Sequence, residues 1–231
     1  MNHVPSESAA DTRRRLLEAA LIVFAERGFD GAGIRDIAER AKANSAMVQY
    51  HFGGKEGLYR EALRYAFEQG PKWIHHLLPP PEPGEADARN KAVARFKDYI
   101  RSFLQEWMEC HCTGKYMSVE VDKAAHVLWN REMQYPRPSI ESFILESIHP
   151  FTTYLNGCLR VLRPDLDAEG IFRMGMSIHA QLLWMHNHAE LTRLLRGQAY
   201  GMEDLDALAA HFTEFSLRGL DLPEAISPQG A

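Results

Sequence analysis

The stretch SAMVQYHFGGKEGLY, Ser45 to Tyr59, puts an amide, a phenol, an imidazole and an ammonium close together and divides them with two glycines. Groups of this kind read and grip a nucleic-acid duplex. The Gln49 amide can pair bidentately with adenine, while Ser45, Ala46 and Met47 are small or apolar enough to meet a thymine methyl. Tyr50 and His51 can donate to phosphate oxygens. Lys55 stands at the start of a following helix, where a phosphate would meet both its charge and the unpaired N–H groups of the helix N-terminus. The competing reading is a structural corner between core helices, with a tyrosine that only packs.

Base reading requires these side chains on the exposed face of a short helix that is anchored from behind. Val48 and Phe52, four apart, can supply the anchor by packing inward on Phe24, Ile34 and Ile37. The surrounding pattern is helical. RRRLLEAALIVFAERGF places Leu17, Ala20, Leu21 and Phe24 on one face, with Asp11 or Thr12 as a cap and Gly28 as the stop. The loop DGAG leads to IRDIAERA, where Ile34, Ile37, Ala38 and Ala41 share a face. A KAN turn then precedes SAMVQYH, Gly53-Gly54 breaks it, and KEGLYREALRYAFEQG begins a longer helix that ends at Gly70-Pro71. Two short helices joined by a tight turn form a helix-turn-helix, whose second helix lies in the major groove.

The linker LLPPPEPGEA follows, too rich in proline for helix or central strand. Helical patterns then cover about 86–109, 115–129, 138–163, 167–195 and 203–220, with Pro150 expected to kink the third and Pro164 to stop it. Period-two alternation and repeats are absent. The expected fold is all-α: a three-helix head of helix-turn-helix type, joined by a fourth helix to a larger helical domain. Residues 1–11 read as a polar leader, 12–66 as the DNA-binding domain and 67–225 as the ligand-binding and dimerisation domain.

Charge supports the division. The whole chain of 231 residues has a formal net charge of -5, yet residues 12–64 carry ten Lys/Arg against seven Asp/Glu. A basic module on an acidic body points to a polyanionic partner for the first part alone. No run of about 18 apolar residues exists to span a membrane, and MNHVPSESAADTRRR lacks the apolar core of a secretory signal. Three cysteines, an odd number in a large chain, suit a reducing cytoplasm.

The run GFDGAGIRDIAERAKANSAMVQYHFGGKEGLYREAL resembles the signature of the TetR/AcrR family of transcriptional regulators, over roughly residues 12–66. Its marks are the Gly-Phe loop, the Ile-Ala pair on the second helix and Tyr50-His51-Phe52 before Lys55. The resemblance implies groove-facing positions at Ser45, Ala46, Met47, Gln49, Tyr50 and His51, a phosphate clamp at Lys55 and a backbone contact at Arg35. Three positions depart from the family pattern: Lys42 where Gly is common, Met47 where Thr or Ser is usual, and Gln49 in place of Tyr. They make Gln49 the leading base reader. Farther on, REMQYPRPSIESFILESIHPF and SIHAQLLWMHNH resemble the CecR (YbiH)-like branch.

Family resemblance further implies a small-molecule effector and a homodimer built from the last two long helices. IFRMGMSIHAQLLWMHNHAELTRLL is apolar nearly all round its first turns, and DLDALAAHFTEFSLRGL combines Leu205, Leu208, Phe212, Phe215 and Leu217 with small alanines. Trp107, Tyr116, Trp129, Phe151, Tyr154, Met174, His179 and Trp184 could line a cavity for an aromatic or amphipathic molecule, or could equally be ordinary core.

Neither a metal nor a cofactor is expected. Cys110-His111-Cys112 are adjacent on a helix and point about 100° apart, and His179, His186 and His188 are likewise poorly arranged for one ion. Enzyme motifs are missing, and Glu120 and Asp122 fall on opposing helix sides. The combined expectation is a cytoplasmic, dimeric, ligand-responsive DNA-binding regulator, a repressor that leaves a palindromic operator when the effector alters the spacing of its heads. The rival is a helical ligand-binding or interaction module with a non-functional helix-turn-helix.

Overall fold

Leu16, Leu17, Ala20, Leu21 and Phe24 recur at three- and four-residue spacing and are all buried on the first helix, α1 (Ala9–Gly31). Gly28 interrupts this helix with φ 72° and ψ 173°, so the expected stop is a break followed by one more turn. The computed structural model describes residues 9–70, 72–113 and 117–220, with 110–113 described by backbone alone. The leader through residue 8, Pro71, Tyr116, the residues after 220 and the side chains of Cys110, His111 and Cys112 lie outside the described residues.

The helices that follow are α2 (Ile34–Arg40), α3 (Ala46–Phe52), α4 (Lys55–Gln69), α5 (Ala88–Thr113), α6 (Val119–Gln134), α7 (Glu141–Leu162), α8 (Ala168–Asn187), α9 (Ala189–Arg196) and α10 (Leu205–Gly219). No strand occurs among the described residues, as the all-α reading expects. Several boundaries differ from the sequence pattern: α1 already includes Ala9–Asp11, read as leader, and α5 runs on to Thr113. α6 begins later because the Ser118 hydroxyl caps it, accepting from the Val121 amide at 3.3 Å. α7 runs through Pro150 to Leu162, close to the expected end before Pro164, but starts only at Glu141. The single helix expected over 167–195 is two, because His188 leaves the helical region at φ -123°, ψ 31°.

The chain divides into two compact units, and they do not follow chain order. The first holds residues up to Gly70 together with Thr113–Ser147; the second holds Pro71–Cys112 and Ile148 onward. Residues 113–147, expected in the body, belong with the head because α6 carries a stripe that only a core can satisfy. Val121, Ala124 and Leu128, at helical spacing, are buried with Leu17, Leu21, Phe24, Leu58 and Leu63 in one apolar cluster, joined by Ile140, Phe143 and Ile144 from the start of α7. Burying a side chain such as Leu128 stabilises the unit by roughly 1.5–3 kcal/mol.

In the second unit, Phe96, Tyr99, Ile100 and Leu104 of α5 meet Leu155, Leu159 and Leu162 of α7, Ile171, Ile178 and Leu182 of α8, and Leu205 and Leu208 of α10. The proline-rich linker is strapped to α7. Tyr154 donates to the Leu78 carbonyl at 2.9 Å, and Pro80 lies where a Cβ on Gly157 would come within 2.9 Å.

Candidate nucleic-acid interface

The turn between α2 and α3 is fixed by backbone bonds. Lys42 takes the left-handed conformation at φ 50°, its amide bonds the Glu39 carbonyl at 3.0 Å and the Ala43 amide bonds the Ala38 carbonyl at 2.9 Å. This is the Schellman stop, in which glycine is the usual left-handed residue. Asn44, rather than Ser45, caps α3: its Oδ1 accepts from the Ala46 amide at 2.8 Å, and Ser45 makes no side-chain cap.

The glycines that follow serve helix geometry first. Gly53 ends α3 at φ 70° and Gly54 starts α4 at φ 120°, both outside the range of ordinary side chains. Gly57, which the sequence reading passed over, allows the first turn of α4 to cross the end of α3. A Cβ there would lie 1.9 Å from the Phe52 carbonyl oxygen.

Inward and outward side chains separate along α3. Val48 is fully buried and Phe52 nearly so, with the Arg13 guanidinium 5.4 Å from the Phe52 ring and bonded to Glu61 at 2.9 Å. Ser45, Ala46, Gln49 and Tyr50 are exposed, Tyr50 to 78%, as is Arg35 on α2. Met47 and His51 are half-buried, and Met47 packs against the core, which leaves it less able to reach a base than the other four. The Gln49 Oε1 lies 3.6 Å from where a Gly54 Cβ would stand, so a side chain at 54 would crowd the Gln49 amide.

Lys55 is half-buried and already engaged. Its ammonium donates to the Asp30 carbonyl at 3.2 Å and stands 4.8 Å from the Phe29 ring centroid. An ammonium has three donors, so this arrangement aims the charge while leaving it capacity for a phosphate.

Behind α4 lies a polar network that sequence reasoning missed. Glu132 of α6 is 1% exposed; it accepts from the Tyr59 hydroxyl at 2.6 Å and from the Arg137 amide at 2.9 Å, with the Arg137 Nε at 3.4 Å. Burial, then the hydrogen bond to Glu132, hold the Tyr59 hydroxyl well above its ordinary pKa, so it acts as a donor. Arg131 donates to the Phe24 and Ala25 carbonyls at 3.2 and 3.4 Å, near the Gly28 break. The only sequence signal was Glu132 on the apolar face of a helix.

The residues suggested for an effector cavity do not form one group. Trp129 lies in the core of the first unit, stacked on Phe67 at 5.5 Å and near Phe143. Trp184 is 47% exposed and stacks on His188 at 4.2 Å. Tyr116 lies outside the described residues. Trp107, Phe151, Tyr154, Met174 and His179 do belong to the core of the second unit or its margin. There Phe151 meets Trp73 at 5.4 Å, and Trp73 in turn meets Tyr99 at 5.3 Å and Phe103 at 6.2 Å. His179 lies 2.7 Å from the Tyr99 hydroxyl, and burial lowers its pKa. Burial pushes the Cys158 thiol up to about 12, which keeps it unreactive. Among the described residues, no helix is long and apolar enough to cross a membrane.

Comparison with known proteins finds matches in both the N-terminal and the C-terminal parts of the chain. Residues 16–62 match the model of bacterial regulatory proteins of the tetR family. Residues 95–220, more than half of the chain, match the C-terminal domain of the HTH-type transcriptional dual regulator CecR. The HTH-type transcriptional repressor NicS of Pseudomonas putida is 35% identical over 99 residues, a match that covers 42% of this chain and less than half, 45%, of NicS. The repressor KstR2 of Mycobacterium tuberculosis is 27% identical over 81% of this chain and 88% of its own. A TetR-like transcriptional regulator from Rhodococcus sp. RHA1 shares the fold, with a TM-score of 0.53 at 18% identity over 95% of this chain and 99% of that one. The chain belongs to the TetR family of bacterial transcriptional regulators, with a C-terminal domain of the CecR type.

Proposed function

We propose that this protein is a homodimeric, sequence-specific DNA-binding repressor that a small-molecule effector releases from a palindromic operator in the cytoplasm. One observation carries the reading: Gln49 and Tyr50 stand exposed on a short helix whose Val48 and Phe52 are sunk in the core. Ser45 and Ala46 complete the base-facing surface, Tyr50 and His51 reach phosphates, Lys55 clamps one, and Arg35 meets the backbone from α2.

Dimerisation through α8 and α10 supplies the second reading head. Phe172 and Met176 on α8 and Phe215 on α10 are exposed, a costly arrangement in a monomer and an ordinary one for a four-helix interface. The effector is aromatic or amphipathic. Half-buried Trp73, Phe103 and Phe151, beside Tyr99 and His179, offer apolar rings with a polar edge, and the family's response comes through such a body.

Selection of duplexes from a randomised pool by the full-length protein tests this directly. The expected product is a two-fold-related pair of half-sites, bound by a dimer with strong salt dependence. Recovery of no preferred sequence would leave a helical ligand-binding module with an inactive helix-turn-helix.

A further inference from the structure

We propose that Arg137, outside the helix-turn-helix, is a positioning residue for the DNA grip: with Glu132 and Ser139 it holds Phe29 and the first turn of α4, and so fixes where the Lys55 ammonium stands. The inference rests on the DNA-binding reading above and names a part of that machinery which its motif does not contain.

Three sets of contacts, all within the first unit, carry it. The Arg137 guanidinium lies 4.3 Å from the Phe29 ring centroid, and the Lys55 ammonium lies 4.8 Å from the same centroid. One ring thus carries both cations, with Arg137 packed on it beside Phe24, stacked at 5.9 Å, and the edge of Tyr59 at 5.2 Å. Next, α6 and the segment after it touch the first turns of α4 at two positions that closely follow Lys55. Ser139 hydrogen-bonds Glu56, and Glu132 accepts from Tyr59 at 2.6 Å. Finally, Arg137 is itself held by the buried Glu132 carboxylate, which accepts from its backbone amide and forms an ion pair with its Nε at 3.4 Å. A buried carboxylate without its cation is strongly unfavourable, which favours keeping Arg137 at this joint.

The phosphate-facing ammonium is therefore held by a carbonyl at residue 30 and by a ring whose placement depends on residue 137. Loss of Arg137 should leave Lys55 in the sequence but not in place. A purely structural role makes a different forecast: lower stability, and an effect on DNA binding that simply adds to that of losing Lys55.

The test uses the full-length chain and a duplex that the wild type itself selects from a randomised pool. Binding is measured between about 50 and 200 mM salt for wild type, Arg137→Gln, Lys55→Ala and the double variant. Arg137→Gln is expected to weaken binding about fivefold or more and to reduce the magnitude of the salt slope by up to about 0.9, the share of one phosphate. In the Lys55→Ala background the same change is expected to alter affinity by less than about twofold, as coupled residues do. Equal fold-effects in both backgrounds, or an unchanged salt slope, overturn the proposal. If circular dichroism shows Arg137→Gln unfolded, Phe29→Leu replaces it under the same criteria, since it removes the shared ring and keeps the Glu132–Arg137 joint. A wild type that selects and binds no duplex defeats the DNA-binding reading and this inference together; a wild type that binds with no coupling defeats the inference alone.

Discussion

Tyr59 of α4 and Glu132 of α6 share a buried hydrogen bond of 2.6 Å across 73 positions of sequence. The bond stitches a late helix into the unit that holds the helix-turn-helix. Tyr59→Phe should keep the ring among Phe24 and Phe29 while removing one of the donors to a buried carboxylate. The expected cost is about 1–3 kcal/mol of unfolding free energy, measured by urea denaturation of the full chain. An unchanged midpoint would show that the carboxylate does not depend on this donor.

Gly57→Ala should be costly for a steric reason. Its Cβ would fall 1.9 Å from the Phe52 carbonyl, against backbone that has no flexible tip to move. Either α3 or α4 must shift, so a loss of about 1–3 kcal/mol and a clear drop in DNA affinity are expected. Thermal unfolding and duplex binding of the variant check both parts, and wild-type values in both would contradict the crossing geometry.

Lys42→Gly should act in the opposite sense. Lysine sits at φ 50° where the Schellman stop favours glycine, and relief of that conformation offsets the added freedom of the unfolded chain. A gain of up to about 1 kcal/mol in urea denaturation is expected, whereas a loss would mean that the Lys42 side chain contributes more than its backbone strain.

His179 gives the second unit a pH dependence with a definite sign. Burial lowers its folded-state pKa, so between that value and about 6.5 the unfolded chain binds more protons than the folded one. Stability should therefore fall as pH drops below about 6.5, by at most about 1.4 kcal/mol per pH unit from this group. His179→Gln, which can still hydrogen-bond the Tyr99 hydroxyl, should flatten that part of the profile in denaturant titrations across the window. An equally steep profile in the variant would assign the dependence elsewhere.

The local elements of the head were legible because each left a short-range mark. Val48 and Phe52 are four apart and buried, Gln49 and Tyr50 lie between them and are exposed, and Gly53-Gly54 breaks the helix where both φ angles are positive. What escaped were relations between distant residues. Periodicity showed that α6 had an apolar stripe, but nothing in Val121, Ala124 and Leu128 says that their partner is α1. The joint of Glu132 with Arg137, Tyr59 and Phe29 likewise depends on three-dimensional proximity that spacing cannot encode. For the same reason Trp129 and Trp184 looked like pocket residues: a tryptophan on a helix reads alike whether it faces the head's core, the body or solvent.

In the proposed function, α3 reads bases through Gln49 and grips phosphates through its neighbours. The most direct test is the ratio of affinities for the selected duplex and a scrambled one, measured for full-length wild type, Gln49→Ala and Tyr50→Ala at fixed salt. Gln49→Ala should lower this ratio by about tenfold, within the range of one bidentate base contact, while binding to the scrambled duplex changes little. Tyr50→Ala should weaken both duplexes alike. A ratio that Gln49→Ala leaves unchanged would contradict the assignment of this helix as the reader.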